Sequence, residues 1–292
     1  MRIAIAFALA ALAVAPIRPA AAAASIPDLP TPTAQDLSGT RAMAMGNAFR
    51  AIATSNEAIY LNPAGMALQR KYEIDLAYAF ARGDDLSRFN GSIVDSKTTR
   101  LATGLAYTHL KGDGLQGELS GSIVNLAFGL PVAERVALGF GFKYLDFAEP
   151  DRTNAITGDV GVLVQPIEWL SFAGVAYNVI DVDSREAPFR VGGGVAFGTD
   201  TTFRVALDTV ADFTSDPERT ALTYHAGGEY LFDGAMAIRG GFMRRDLDDR
   251  NYLSAGLGFI SRAAAIEAAY VQSLEAGEGP DRTFSFTLKF FL

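Results

Sequence analysis

The chain has no cysteine, only two histidines and one tryptophan among 292 residues. Without cysteine there is no disulfide framework and no thiolate metal site, so an exported form must be stabilised by other means. Beyond the first residues no stretch is apolar for about 18 residues, the length that marks a membrane helix. Basic runs are missing as well: 25 Lys and Arg face 33 Asp and Glu, a formal charge of −8. An acidic chain with no basic stripe has no electrostatic footprint for nucleic acid. HExxH is absent, no Ser or Cys nucleophile is grouped with His and acid, and the glycine runs lie inside strand patterns rather than before helices. No catalytic residue, metal ligand or cofactor is therefore assigned. His225 and Glu229 share a face, but they read as part of a polar network rather than as a His–acid pair.

What is present is apolar residues, 49% of the chain, arranged with a period of two. In "VALGFGFKY", Val136, Leu138, Phe140, Phe142 and Tyr144 share one face, and Ala137, Gly139, Gly141 and Lys143 the other. "YEIDLAYAF" repeats this, with Tyr72, Ile74, Leu76, Tyr78 and Phe80 against Glu73, Asp75, Ala77 and Ala79. So does "FRVGGGVAF", with Phe189, Val191, Val195 and Phe197 against Arg190, Gly192, Gly194 and Ala196. Large residues on one face and small or polar ones on the other is the pattern of strands between lipid and lumen. A soluble β-sandwich is the competing fold, but it would need something to cover the large apolar faces.

The breaks predict fourteen strands, at 72–81, 87–95, 100–110, 119–130, 135–147, 155–165, 168–180, 188–198, 201–211, 220–231, 235–245, 250–260, 262–273 and 282–292. The second alternates poorly and the seventh is ambiguous in phase. The reading is all-β: a transmembrane antiparallel β-barrel of about 14 strands with an N-terminal hatch or plug. Short connections alternate with longer acidic ones, which matches short periplasmic turns and longer outside loops. The seven longer connections carry nine of the net negative charges. They predict an acidic rim in which Asp181, Asp183, Asp212 and Asp216 could meet lipopolysaccharide through divalent cations. The closing "RTFSFTLKFFL" resembles the signal read by the barrel-assembly machinery.

Phase places Glu73, Asp75, Arg190, Arg204, Asp208, His225, Glu229, Arg239 and Glu267 on the lumen face as a polar network, with Arg100, Lys143, Asp159 and Lys289 also inward. Their mixed signs predict internal pairing rather than an ion-selective ring. His109 reads as interfacial.

Residues 1–24 read as a signal peptide: Arg2, an apolar run Ile3–Ala15 and a tail of alanines, with cleavage near Ala24. Residues 25–38, rich in proline, read as a flexible lead, 39–70 as the hatch and 71–292 as the barrel. Within 39–70, "SNEAIYLNPAGMA" predicts a short helix capped by Ser55 or Asn56 with Glu57 in its first turn. A second start is capped by Asn62 with Pro63 at the first position, and Gly65 is expected at a positive-φ bend. Phe49, Ile52, Ile59, Leu61 and Met66 make this unit apolar on several sides, and irregular backbone cannot face lipid, so it belongs in a lumen.

Gly39, Arg41, Ala42, Met45, Gly46, Ala48, Phe49, Ala53, Asn62, Pro63, Ala64 and Gly65, together with the passage Asp159–Asn178, carry a resemblance to the FadL family of outer-membrane transporters, and within it to the compact PorV/PorQ-like branch. The resemblance implies a fourteen-stranded barrel in a Gram-negative outer membrane, plugged by its N-terminal segment, with Gly39, Arg41, Met45, Gly46, Phe49, Asn62, Pro63, Ala64 and Gly65 as hatch residues. It implies passage of small hydrophobic, fatty-acid-like molecules gated by that hatch. The alternative it carries is a non-transporting barrel that binds a protein or lipidated partner for secretion. Outer-membrane lipid and lipopolysaccharide are expected partners, with a hydrophobic small molecule or a protein beyond them. The outside loops are shorter than the elaborate ligand-capture loops of the fatty-acid transporters.

Overall fold

The structure, a computed structural model, describes residues 39–82, 86–114, 117–149, 152–184, 186–275 and 282–292. Residues 1–38, read above as a signal peptide and a flexible lead, lie outside the described residues, as do parts of several of the acidic connections.

Fourteen strands follow in chain order: β1 Tyr72–Arg82, β2 Leu86–Asp95, β3 Ala102–Gly114, β4 Gly117–Ala133, β5 Val136–Glu149, β6 Thr153–Ile167, β7 Leu170–Tyr177, β8 Arg190–Gly198, β9 Phe203–Asp212, β10 Ala221–Phe232, β11 Met236–Arg245, β12 Arg250–Ile260, β13 Ala264–Ser273 and β14 Arg282–Phe291. Each pairs antiparallel with its sequence neighbours, and β1 pairs with β14 from Glu73↔Phe291 to Arg82↔Arg282, which closes the barrel. Closure leaves no sheet edge, the condition for strands to sit in hydrocarbon.

The period-two pattern becomes an outside and an inside. Phe142 and Phe286 are 50% and 57% exposed on the outer wall, while Lys143, Thr287 and Lys289 between and beside them are buried. Water would not tolerate so continuous an apolar belt; lipid requires it. The two uncertain strands take definite phases. In β2, Phe89 faces out and Arg88, Asn90 and Ser92 face in; in β7, Phe172 faces out and Val175 and Tyr177 face in. Arg100 is not inward. It stands exposed in the β2–β3 turn and donates from Nη2 to Pro131 O at 3.1 Å, because β3 starts two residues later than the pattern indicated.

Leu292 N donates to Tyr72 O at 3.0 Å, so the first and last strands end on one rim, here the terminal rim. Most of the longer connections on the far rim are shorter than the sequence implied, since the strands continue into them: β3 and β4 stay paired to Gly114↔Gly117. Connection 213–220 keeps its expected length, and 178–189 between β7 and β8 is longer. β7 stops at Tyr177, and the far half of β6 is met instead by this irregular segment, through Val179 N to Gly158 O at 2.8 Å and Thr157 Oγ1 to Ile180 O at 2.7 Å.

Candidate functional site inside the barrel

Residues 39–68 are folded inside the barrel, and Gln69 and Arg70 lead out to its terminal rim. The order is helix α1 (Thr40–Ala44), a 3₁₀ turn Ser55–Glu57, helix α2 (Ala58–Leu61) and a 3₁₀ turn Pro63–Ala67. All are too short to be stable alone, so wall contacts must hold them. The small inner face supplies these. A Cβ on Gly139 would lie 2.0 Å from Ala64 N, on Gly161 2.2 Å from Asn62 Oδ1, and on Gly227 2.2 Å from Met45 O. These glycines therefore leave room for the inner segment, for its backbone at Gly139 and Gly227 and for the Asn62 side chain at Gly161.

Asn62 caps as expected: Oδ1 accepts from Ala64 N at 3.2 Å with Pro63 next in line. Its amide donates to Arg50 O at 3.1 Å and Val162 O at 3.2 Å, so one side chain joins two parts of the segment to β6. Two other local expectations fail. Ser55 and Asn56 cap nothing; Ser55 takes φ 69° and gives its hydroxyl to Glu73, and Asn56 donates to Ser92 Oγ at 2.7 Å. Wall acceptors displace the local cap. Gly65 is not among the positive-φ residues; it is needed because a Cβ there would lie 1.6 Å from Ala53 O. Positive φ falls instead on Gly46, at 61°.

Polar ties gather in three places. In the first, Arg41 Nη2 meets Glu229 Oε1 at 2.5 Å, Arg239 Nε meets Glu229 Oε2 at 2.6 Å, and Arg239 Nη2 meets Glu267 Oε1 at 2.8 Å. Lys289 Nζ then stands 2.9 Å from Glu57, 3.0 Å from Asp75, 3.4 Å from Glu73 and 3.5 Å from Glu267. Thr40 adds hydroxyl bonds to Ser285 at 2.7 Å and Thr287 at 2.6 Å. In the second, Asp208 Oδ2 accepts from Phe49 N and Arg50 N, both at 2.8 Å, and from Arg50 Nη1 at 3.2 Å. His225 belongs here rather than beside Glu229: its Nδ1 donates to Gly46 O at 2.7 Å. A carbonyl can only accept, which settles the proton on Nδ1.

The third tie connects the inner segment to 178–189. Tyr177 OH donates to Leu61 O at 2.6 Å, and both Arg50 and Lys143 lie 5.7 Å from its ring centre. Lys143 Nζ is 2.7 Å from Asp159 Oδ1 and donates to Asn178 Oδ1 at 2.9 Å, while Asn178 donates from N to Asp159 and from Nδ2 to Pro188 O at 2.8 Å.

Of the charged lumen residues, Glu73, Asp75, Glu229, Arg239 and Glu267 are thus brought together. Asp208 and His225 are in the second tie. Arg190 pairs with Asp212 at 2.6 Å near the far rim, and Arg204 pairs loosely with Asp200 at 3.7 Å near the terminal rim. The pairing withdraws Asp212 from the acidic rim, because its carboxylate is buried and also accepts from Thr214 N and Ser215 N. Arg50, Tyr177 and Asn178 were not singled out in the sequence. A lone cation within "NAFRAIA" was the available signal for Arg50; the phase ambiguity of β7 hid the other two.

The two larger of four apolar clusters among the described residues complete the interior. Met45, Phe49, Ile59, Leu61 and Met66 form the middle of the inner segment. On its far side, Leu110, Leu119, Ile123, Leu145 and Phe147 of β3, β4 and β5 pack with Ala187, and Leu86 and Val182 border them. Phe147 lies across Gly121, where a Cβ would come within 2.2 Å of its ring.

The chain is similar to a CymD monoaromatic hydrocarbon channel at TM-score 0.70 and 13% identity, over 87% of this chain and 97% of that one. It is also similar to the Ralstonia pickettii toluene transporter TbuX at 0.67 and 13% identity, over 87% and 98%. A Pseudomonas aeruginosa FadL homologue matches at 0.61 and 13%, again over 87% and 98%. The fold is FadL-like. At these identities the likeness is one of architecture. No protein-family sequence model matches the chain, and no curated protein sequence does.

Proposed function

We propose that this FadL-like barrel is an outer-membrane channel of a Gram-negative bacterium for small apolar molecules, with residues 39–70 as its hatch. The observation that carries the reading is the content of the lumen. A short-element segment with an apolar middle is held by discrete polar ties, and a second apolar cluster lies between it and the far rim. An ion channel would line its lumen with charge of one sign; here charges of both signs are paired and the packed clusters between them are apolar. The similar structures named for monoaromatic hydrocarbon and toluene transport support the same class of cargo. The far-rim cluster would receive the molecule, and exchange of wall contacts for water at the polar ties would let the hatch yield.

The experiment is passage into proteoliposomes of radiolabelled toluene and of a medium-chain fatty acid, for the intact chain and for a variant lacking 39–66. The reading expects saturable entry of at least one of them by the intact chain. It also expects faster, unsaturable entry together with raised ion conductance after deletion. No entry above protein-free vesicles, in a barrel shown to be folded by its heat-dependent migration, would reject transport and leave partner binding as the role of the fold.

A further inference from the structure

The terminal rim is divided in charge. Its connections 96–101 and 261–263 carry Lys97, Arg100 and Arg262 with no acid, whereas 168–169, 199–202 and 233–235 carry Glu168, Asp200 and Asp233 with no base. The basic part flanks the β14–β1 seam, where the inner segment joins the wall. A concavity of about 330 Å³ opens there, lined by Arg70, Lys71, Tyr72, Lys97, Phe291 and Leu292. Three of the six lining side chains are cationic, three are apolar or aromatic, and none is acidic.

Bonds between the two chain segments fix the backbone that carries the cations. Ser96 N donates to Lys71 O at 2.8 Å and Lys71 N to Ser96 Oγ at 2.9 Å, while Ser96 Oγ donates to Gln69 O at 2.5 Å. Arg70 Nη2 reaches Lys97 O at 3.3 Å. Asp95 is occupied by the amides of Lys97 and Thr98 at 3.0 and 2.9 Å, and Glu73, the acid on the face of Lys71, is turned inward to Lys289. Lys97 Nζ uses one donor on Leu292 O, at 3.1 Å. Arg70 and Lys97 remain exposed, with most of their donors directed to solvent. Immediately beyond the concavity the outer wall is apolar: Phe290 and Leu288 are 43% and 45% exposed and follow the same seam.

Clustered cations over an apolar wall, at the height where a bilayer surface must lie, match the two halves of one molecule. We infer that this concavity is a binding site for an anionic phospholipid of the leaflet on the terminal rim. The phosphate is held between Arg70 and Lys97, and an acyl chain lies along Tyr72 and Phe290. Guanidinium and ammonium groups are the usual partners of phosphate oxygens, and basic residues at a membrane surface each add to the affinity for anionic lipid. The site is independent of what crosses the barrel.

The test is native mass spectrometry of the full chain in zwitterionic detergent with phosphatidylglycerol, phosphatidylcholine or inorganic phosphate. The expected result is preferential retention of phosphatidylglycerol, falling by about tenfold in the Arg70→Gln/Lys97→Gln variant. Arg135→Gln, on a turn outside the concavity, should retain it like the unmodified chain. Heat-dependent migration verifies that each variant is folded. Equal retention of the two lipids would overturn the inference, as would equal retention of phosphatidylglycerol by the double variant. Displacement of the lipid by millimolar inorganic phosphate would also overturn the lipid assignment, leaving a bare anion site.

Discussion

Tyr177, the last residue of β7, donates its hydroxyl to the carbonyl of Leu61, the last residue of α2, at 2.6 Å. A wall strand thereby holds the end of an internal helix, and the next residue, Asn178, begins the irregular wall segment 178–189. Replacing Tyr177 by Phe keeps the ring between Arg50 and Lys143 but leaves the Leu61 carbonyl unpaired. An unpaired buried acceptor costs about 1–3 kcal/mol. In planar bilayers Tyr177→Phe should therefore show more frequent or larger conductance events than the unmodified chain, with unchanged heat-dependent migration. Identical recordings would show that this tie does not restrain the segment.

Lys289 stands among four carboxylates from β1, β13 and the inner segment. Removing one partner of a buried ionic group costs more than the group contributed, about 3–5 kcal/mol, because the remaining charges are left uncompensated. Lys289→Met should lower the midpoint of urea unfolding in detergent, and Lys289→Arg should lower it less. A Lys289→Met midpoint equal to that of the unmodified chain would mean the carboxylates accept protons without loss.

Gly65 tests close packing. A methyl group there meets Ala53 O, so Gly65→Ala must push two parts of the inner segment apart. Hydrogen exchange should quicken at residues 49–67 while the strands keep their protection. Uniform quickening across the strands would show instead that the segment and the wall unfold as one unit.

The acidic rim is narrower than its composition implied, since Asp212 is bound to Arg190. Asp216 accepts from Glu218 N at 2.9 Å, and that backbone bond, with Arg219 beside it, holds its carboxyl below the usual range. It stays charged as pH falls toward the ordinary carboxylate range. If divalent cations bridge the rim to lipopolysaccharide, chelation should lower co-purified lipopolysaccharide. Asp181→Asn/Asp183→Asn/Asp216→Asn should lower it to a similar level. Equal retention in all conditions would leave these residues as solubilising surface.

Local regularities were legible in the sequence because they depend on neighbours. Period two gave strands, their count gave a closed barrel, and Asn-Pro gave the cap at Asn62. The small inner face was legible too, although its meaning was not: glycine at 139, 161 and 227 marks where the inner segment touches the wall. The errors were local rules overruled at a distance. Ser55 serves Glu73 rather than a helix end, and Gly65 answers a carbonyl rather than a turn. Phase could place Glu73, Asp75, Glu267 and Lys289 in the lumen, but not in contact. Lys289 reaches Glu57 across 232 positions of sequence. Which side chains meet there depends on strand register, barrel closure and the depth to which residues 39–70 are seated. The sequence by itself determined an apolar-walled barrel with a polar, small-residue interior, since alternation along each strand assigns faces. Only the tertiary structure decided that Asp208, His225 and Tyr177 hold the inner segment, because those contacts exist only once the barrel has closed around it.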